Sequence, residues 1–344
     1  MKNHRAHFGI ILMIGFFLFS CRQNTESKFH QFKGPYLGQK PPGENAELVA
    51  PGILTAGGVE TKISFTPGGE EFSISISTKG WQFLADPRGA FRRGYLMHSR
   101  MGKEGWTEPE EFPFAPPRME GYPSYSPDGK KLFFNSSRNR PDPPDKSFTA
   151  MAYAEREDDG WSNPKFIDFG EGYQGGGGVS PTVAASGNLY FTLWPTREKG
   201  IIHMSRYEDG KYLPPERLSD AITDFGGNHP HIAPDESYIV FDWEYPSSND
   251  TPNDIFISFR NTNGEWMEPQ NLGEGVNSYY DERRPFVSFD GKYLFFASTR
   301  INPEIPDRPI TLPELQRLTN VHKNGYQHIY WVDAKVIEDL RPKY

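Results

Sequence analysis

Four short stretches of the 344-residue chain carry side chains suited to chemistry. His229 and His231 stand two apart, a spacing that puts both on one face of a strand and suits a pair of metal ligands. Asp242-Trp243-Glu244 and Asp281-Glu282-Arg283-Arg284 offer the paired carboxylates that glycosidic cleavage uses as acid and base. Gly175 to Gly178 form a glycine run. Each stretch also has a plainer reading. No third metal ligand is identifiable, so no metal is assigned and the histidines read as hydrogen-bonded groups at a channel rim. The carboxylates read as salt bridges between neighbouring units. No Gly-Lys-Ser follows the glycine run and no helix opens there, so it is a close-packed turn and not a phosphate loop.

The elements that must position these residues come from a repeat. Pro123-Ser124-Tyr125-Ser126-Pro127-Asp128-Gly129-Lys130-Lys131-Leu132-Phe133-Phe134 is matched closely by Pro285 to Phe296, and weaker copies start at Ile63, Pro181 and Pro230. The unit reads as a hairpin of two buried strands. Its turn uses proline to preset φ, aspartate to cap a backbone N–H and glycine to accept positive φ. From the proline position to the third turn residue the spacing is six in all five copies, and successive turns lie 60, 58, 49 and 55 residues apart. That interval is long enough for four strands, which predicts an all-β propeller of four-stranded antiparallel blades. Five blades are expected, with six as the alternative.

This topology assigns residues to a face. The Asp-Gly turns occupy one rim, so inner strands begin and second strands end at the other. Lys62, Tyr122, Ser180, His229 and Arg284 then line the channel mouth. Ser136, Arg138, Trp194, Asp242, Trp243, Glu244 and Arg300 stand beside them, and the longest connections open there. Cationic, aromatic and acidic groups on one concave surface are what a ligand site needs. The expected binding rim is Lys62, Tyr122, Arg138, Trp194, His229, His231, Trp243, Glu244, Arg284 and Arg300. No catalytic residue and no cofactor are assigned, because the inner-strand starts carry no carboxylate.

Composition agrees with many short strands: 24% charged residues, 15% aromatics, 34 glycines and 31 prolines. A net charge of −8 disfavours nucleic acid as a partner.

At the N-terminus, Lys2, His4 and Arg5 precede a twelve-residue apolar run, Phe8 to Phe19, too short to span a bilayer. Leu18-Phe19-Ser20-Cys21 follows and resembles a bacterial lipobox, with Cys21, the single cysteine, as the lipid acceptor. Residues 1–20 are therefore expected to be a signal peptide, 21–45 a tether, and 46–344 the propeller. Arg22 after the cysteine, with no aspartate there, favours the outer membrane, facing either the periplasm or the surface. The piece Ala46 to Ala50 resembles the outer strands of later units and is expected to close the ring on the last blade. Gly-Trp-like turns at Gly105, Gly160, Gly210 and Gly264 place an aromatic residue before a proline and are expected to pack between blades. Two helices are expected, one near Thr311 to Leu318 and one from Asp333 that covers the last blade.

The Ser-Pro-Asp-Gly-Lys unit resembles the TolB-type, WD-repeat-like propeller repeat of periplasmic and surface proteins. The resemblance implies the fold and leaves function open, because propellers host binding scaffolds and enzymes alike. The expected function is a lipid-anchored, non-catalytic propeller that binds a protein, peptide or glycan through its long-loop face. The alternative is a hydrolase or lyase on carbohydrate.

Overall fold

Each repeat folds into a hairpin whose two strands are largely buried on both faces. In the computed structural model the described residues are 28–51, 54, 59–77, 94–114, 120–137, 150–158, 160–170, 178–194, 200–224, 226–243, 252–300, 308–314 and 326–343. They form five antiparallel sheets that are the blades of a five-bladed propeller. The inner strands are Val59–Phe65, Glu120–Tyr125, Val179–Val183, Gly227–Ile232 and Glu282–Val287. Each pairs with a second strand, and that strand with a third.

Burial on both faces has a direct cause: a blade touches a neighbour on each side. Five apolar clusters fill the five interfaces. Phe65, Phe72, Phe295 and Trp331 join blades 1 and 5, while Leu96, Phe112, Tyr125 and Leu132 join 1 and 2. Phe133 with Phe191, Ile202 with Ile239, and Val240 with Leu294 mark the other three. The Gly-Trp turns contribute as expected in blade 1, where Trp106 is fully buried against Phe72, and at Trp161, whose ring meets Phe112 of the preceding blade edge-on.

The turns obey the chemistry of their residues. In blade 2, Ser126 Oγ accepts from Lys131 N at 2.9 Å and Asp128 Oδ1 from Lys130 N at 3.0 Å, and Gly129 sits at φ 69°. Blade 5 repeats this with Ser288, Asp290 and Gly291.

The ring closes through its N-terminus. Glu47–Leu48 pairs antiparallel with His328–Asp333, opposing Glu47 to Trp331 and Leu48 to Tyr330, and so completes the fifth blade from the other end of the chain. Packed structure begins well before residue 46. Residues Lys28–Gln31 and Tyr36–Gly38 form short 3-10 turns, and Trp106 donates its indole N–H to Gly34 O at 2.9 Å. Tyr36 N bonds Gly69 O at 2.8 Å, and its ring packs on Phe65, Tyr293 and Phe295, bridging blades 1 and 5 at the turn rim. The C-terminal helix, Lys335–Glu338, lies on blades 4 and 5 at the same rim, where Arg341 covers the Tyr238 and Phe259 rings. Of the helix expected near Thr311, residues 312–314 are helical and the rest lies outside the described residues. Among the described residues no helix is long and apolar enough to cross a membrane.

Candidate functional site at the propeller axis

Every inner strand is broken once, one residue earlier in blade 1 than in the other four. A register shift of one residue falls between Gly121 and Ser124, Val179 and Thr182, Asn228 and His231, and Arg283 and Phe286; in blade 1 it falls between Glu60 and Lys62. These are β-bulges. In blades 2 to 5 the bulged residue has positive φ: Tyr122 (56°), Ser180 (56°), His229 (43°) and Arg284 (57°). Each precedes a proline, whose missing N–H costs nothing where the ladder is interrupted. Blade 1 has Ile63 at that position, and Lys62 keeps ordinary φ.

Left-handed conformations at non-glycine residues are strained, at roughly 1–2 kcal/mol each. The preceding blade holds three of them in place. Asn135 Oδ1 accepts from Ser180 N at 2.8 Å, Thr192 Oγ1 from His229 N at 3.0 Å, and Asp242 Oδ1 from Arg284 N at 2.9 Å. The side chain at one position of the second strands of blades 2, 3 and 4 thus receives the strained N–H of the next blade. Ala297 occupies that position before blade 1 and has no acceptor to offer.

The bulges deliver their side chains to one another across the axis. Lys62 Nζ donates to Ser180 Oγ at 3.0 Å, linking blades 1 and 3. Tyr122 stacks on His229 with centroids 5.5 Å apart, and the Arg284 guanidinium lies 5.4 Å from the Tyr122 ring centre. His229 Nδ1 is 3.0 Å from both oxygens of Asp242, and Arg284 donates to Gln327 Oε1 at 2.9 Å. Lys62, Ser180, His229, Asp242 and Arg284 are all buried, with Tyr122 half-exposed.

Burial sets the charge states. It pushes His229 down to about 4 against the pull of Asp242, so the imidazole is neutral at pH 7. With Nδ1 facing a carboxylate, that nitrogen carries the proton. Burial alone would raise Asp242, but His229, Arg283 and the Arg284 N–H outweigh it and hold the carboxyl below its usual range. Desolvation lowers the Lys62 amine to about 7, with Asp242 opposing and Arg284 assisting.

The predicted site residues divide into three groups. Lys62, Tyr122, His229 and Arg284 converge, deeper in the channel than a rim. The second group does not join them. His231 is turned elsewhere by the bulge: it packs edge-on against Phe286 at 5.2 Å while His229 faces Asp242, so the two histidines do not share one face as the spacing suggested. Burial, with the Lys62 charge assisting, lowers His231 to about 3. Arg300 is held by Glu282 at 3.2 Å and by Val276 O, over the Phe296 and Tyr330 rings. Trp243 packs edge-on against Phe256, and Trp194 is exposed at the mouth. The third group, Arg138, Glu244 and Cys21, lies outside the described residues, as does the run Gly175 to Gly177. Gly178 is the close-packed position expected, since a Cβ there would meet Phe191 at 2.5 Å.

One expectation is corrected. The inner strands of blades 1, 2 and 5 do carry carboxylates near their starts, Glu60, Glu120 and Glu282, two residues upstream of the channel residues. The bulge shifts the strand ends, which the turn spacing alone does not reveal. Glu60 pairs with His328 at 2.5 Å, Glu120 accepts from Ser136 at 2.9 Å, and Glu282 accepts from Ser278, Ser298 and Arg300. Burial raises both Glu60 and Glu282. Asn135, Thr192 and Gln327 were also missed, although their second-strand register with the bulge was available for the first two. Among the described residues no group of three or more His, Cys, Asp or Glu side chains is arranged to hold a metal ion.

No protein-family model matches the chain, and no curated protein matches it. Similar solved structures include TolB from Acinetobacter baumannii, at 13% identity and TM-score 0.42 over 80% of this chain and 57% of that one. A putative TolB from Agrobacterium tumefaciens has 14% identity and TM-score 0.43, over 80% of this chain and 90% of that one. Native arabinanase from Bacillus subtilis has 12% identity and TM-score 0.46, over 80% and 94%. The likeness is one of architecture.

Proposed function

We propose that the chain is a lipid-anchored envelope propeller that captures a protein, peptide or glycan ligand at the mouth opposite its Asp-Gly turns, without catalysing a reaction on it. The observation that supports this is the set of bulges: four strained residues from four blades, three of them held by the preceding blade, present preformed polar groups at one axis. Preorganisation of this kind lowers the cost of binding. Attachment through Cys21 in the outer membrane fits the same picture. Only residues 22–27 separate Cys21 from the packed segment at Lys28, a reach of about 20 Å when extended. That segment packs on the turn rim, so an anchored molecule holds its turns toward the lipid and its mouth away from it.

The test has two arms. A Cys21→Ala chain should leave the membrane fraction in a high-salt wash, and retention there would refute the anchor. A Tyr122→Ala, Trp194→Ala double variant should lose a ligand found on glycan or peptide arrays while its melt shifts by a few degrees at most. Undiminished capture would exclude the mouth as the binding surface.

A second reading, a carbohydrate-active hydrolase or lyase, draws on Glu60 and Glu282 being raised while Asp242 is lowered, the kind of divergence that separates acid from base. Turnover of any glycan that His229→Ala abolishes would favour it.

A further inference from the structure

A cleft of about 370 Å³ opens on the turn rim, between the turns of blades 4 and 5 and the C-terminal helix. Its size falls in the range of small-molecule sites. Ala233, Val287, Phe289, Ala334 and Ile337 make an apolar floor, while Asp235, Asp290 and Glu338 stand exposed around its lip beside Arg341. Two of the three carboxylates are paired. Glu338 takes both hydrogen bonds of the Arg341 fork at 2.8 Å, and Asp290 Oδ2 lies 3.0 Å from Lys292 Nζ. Asp235 accepts from Ser237 N at 3.0 Å and forms no ion pair with a described residue, since Arg341, tied to Glu338, reaches it only weakly.

Tyr238 stands beside them and is 9% exposed. Its ring is fixed between Phe259, edge-on at 6.2 Å, and the Arg341 guanidinium at 5.6 Å. A tyrosine hydroxyl buried this deeply ordinarily finds a hydrogen-bond partner. That of Tyr238 has none among the described residues, and the charges that act on it, Arg341, Asp235 and Glu338, all line the cleft. A phenylalanine would pack on Phe259 as well, so the packing leaves the hydroxyl unexplained. Burial pulls Asp235 and Asp290 upward, yet hydrogen bonds from Ser237, and from Ser288 and Lys292, outweigh it, and Arg341 holds Glu338 low. All three are therefore ionised at pH 7. Against Arg341 and Lys292 they leave one negative charge, that of Asp235. Burial raises Tyr238, which stays a neutral hydroxyl.

The three carboxylates do not converge as metal ligands, because among the described residues no three acidic or ligating side chains are arranged to share an ion. Spread around an apolar floor, they suit an organic cation. We infer that the cleft binds a primary ammonium group borne on an apolar stem, with Asp235 as counter-ion, Tyr238 Oη as acceptor of one N–H, and Val287, Phe289 and Ile337 against the stem. This site lies on the rim opposite the mouth and does not depend on the mouth being a binding surface. Two sources carry its chemistry, a free amine and the lysine side chain of a protein.

Calorimetric titration of the full chain with 2-phenylethylammonium and with Nα-acetyl-lysine amide represents the two sources; 2-phenylethanol and phenylacetate are the neutral and anionic controls. At least one ammonium should bind saturably at millimolar concentration, and the tighter of the two assigns the source. Without the charge, 2-phenylethanol should bind about tenfold more weakly than its ammonium counterpart, the value of one charge-assisted hydrogen bond, and phenylacetate should not bind. Asp235→Asn should weaken the ammonium about tenfold on the same ground. Should that variant also melt lower, through the turn it caps, Tyr238→Phe decides, because it keeps the ring and its packing and should weaken binding several-fold at an unchanged melt. The inference is overturned if neither ammonium binds, if 2-phenylethanol binds equally well, or if either variant retains the parental affinity.

Discussion

His229 and His231 show how the same residue type two positions apart acquires different surroundings. Both are buried and neutral, one against a carboxylate and one against a phenyl ring. Their folded values lie below the ordinary histidine range, so the unfolded chain takes up protons first as pH falls below about 6.5. Stability is then lost between 6.5 and 4 for His229, and between 6.5 and 3 for His231. Glu60 and Glu282 act in the opposite sense above 4.5, because their folded values are raised. Comparing a His231→Gln chain with its parent cancels the carboxylates. Urea melts at pH 7 and 4.5 should show the parent losing on the order of 3 kcal/mol more than the variant. Equal losses would mean that His231 is not the buried neutral group described. Asp242→Ala removes the acceptor of Arg284 N and the partner of His229 beside two cations, and should cost about 3–5 kcal/mol in the same assay at pH 7.

At the scale of elements, the repeat's turn tolerates a departure that shows which force dominates. Glu236 occupies the third turn position of blade 4, where glycine stands in the other four, and holds φ at 60°. Glycine there would relieve about 1–2 kcal/mol of strain. Glu236 Oε1, however, accepts from Ser186 Oγ at 3.1 Å, Asn188 Nδ2 at 2.9 Å and Tyr190 Oη at 3.1 Å, all in blade 3. Hydrogen bonds to a charged acceptor contribute about 1.5–3 kcal/mol each, less where exposed. Glu236→Gly should therefore destabilise by about 1–3 kcal/mol net, read as a lower urea midpoint. A stabilised variant would show that strain outweighs the inter-blade bonds. The same comparison explains what the sequence could and could not disclose. Blade count, hairpins and turn chemistry repeat every 49 to 60 residues and were legible. The bulges were not, because their signal is a single X-Pro step whose meaning depends on an acceptor one blade earlier in the chain. Placement of Lys62 and Arg284 inside the channel, where rim positions were expected, follows from those bulges.

On the scale of the whole molecule, the first and last described segments, residues 28–38 and 335–343, lie on one rim, which the closing strand makes possible. Glu47–Leu48 contributes few hydrogen bonds of its own, yet with Ala46 N to Gly275 O and Val49 N to Ile329 O it ties blade 5 to a segment that continues to Tyr36 and blade 1. The chain crosses the interface between blades 5 and 1 through this segment, which runs from the outer strand of blade 5 to the inner strand of blade 1, so the joint depends on it and on the Phe65, Phe295 and Trp331 cluster beneath it. Removing residues 22–27 should leave the melt unchanged, since the packed turns start at Lys28. Removing residues 22–50 deletes Tyr36, Leu37, Val49 and Ala50 from that cluster and the outer strand from the fifth blade. Burial of a large apolar side chain contributes about 1.5–3 kcal/mol, so the loss exceeds the stability margin of many domains. The longer deletion should lower the melting temperature by well over ten degrees or prevent folding, as read by thermal circular dichroism. An unshifted melt would place closure of the ring elsewhere, in the direct packing of blade 1 on blade 5.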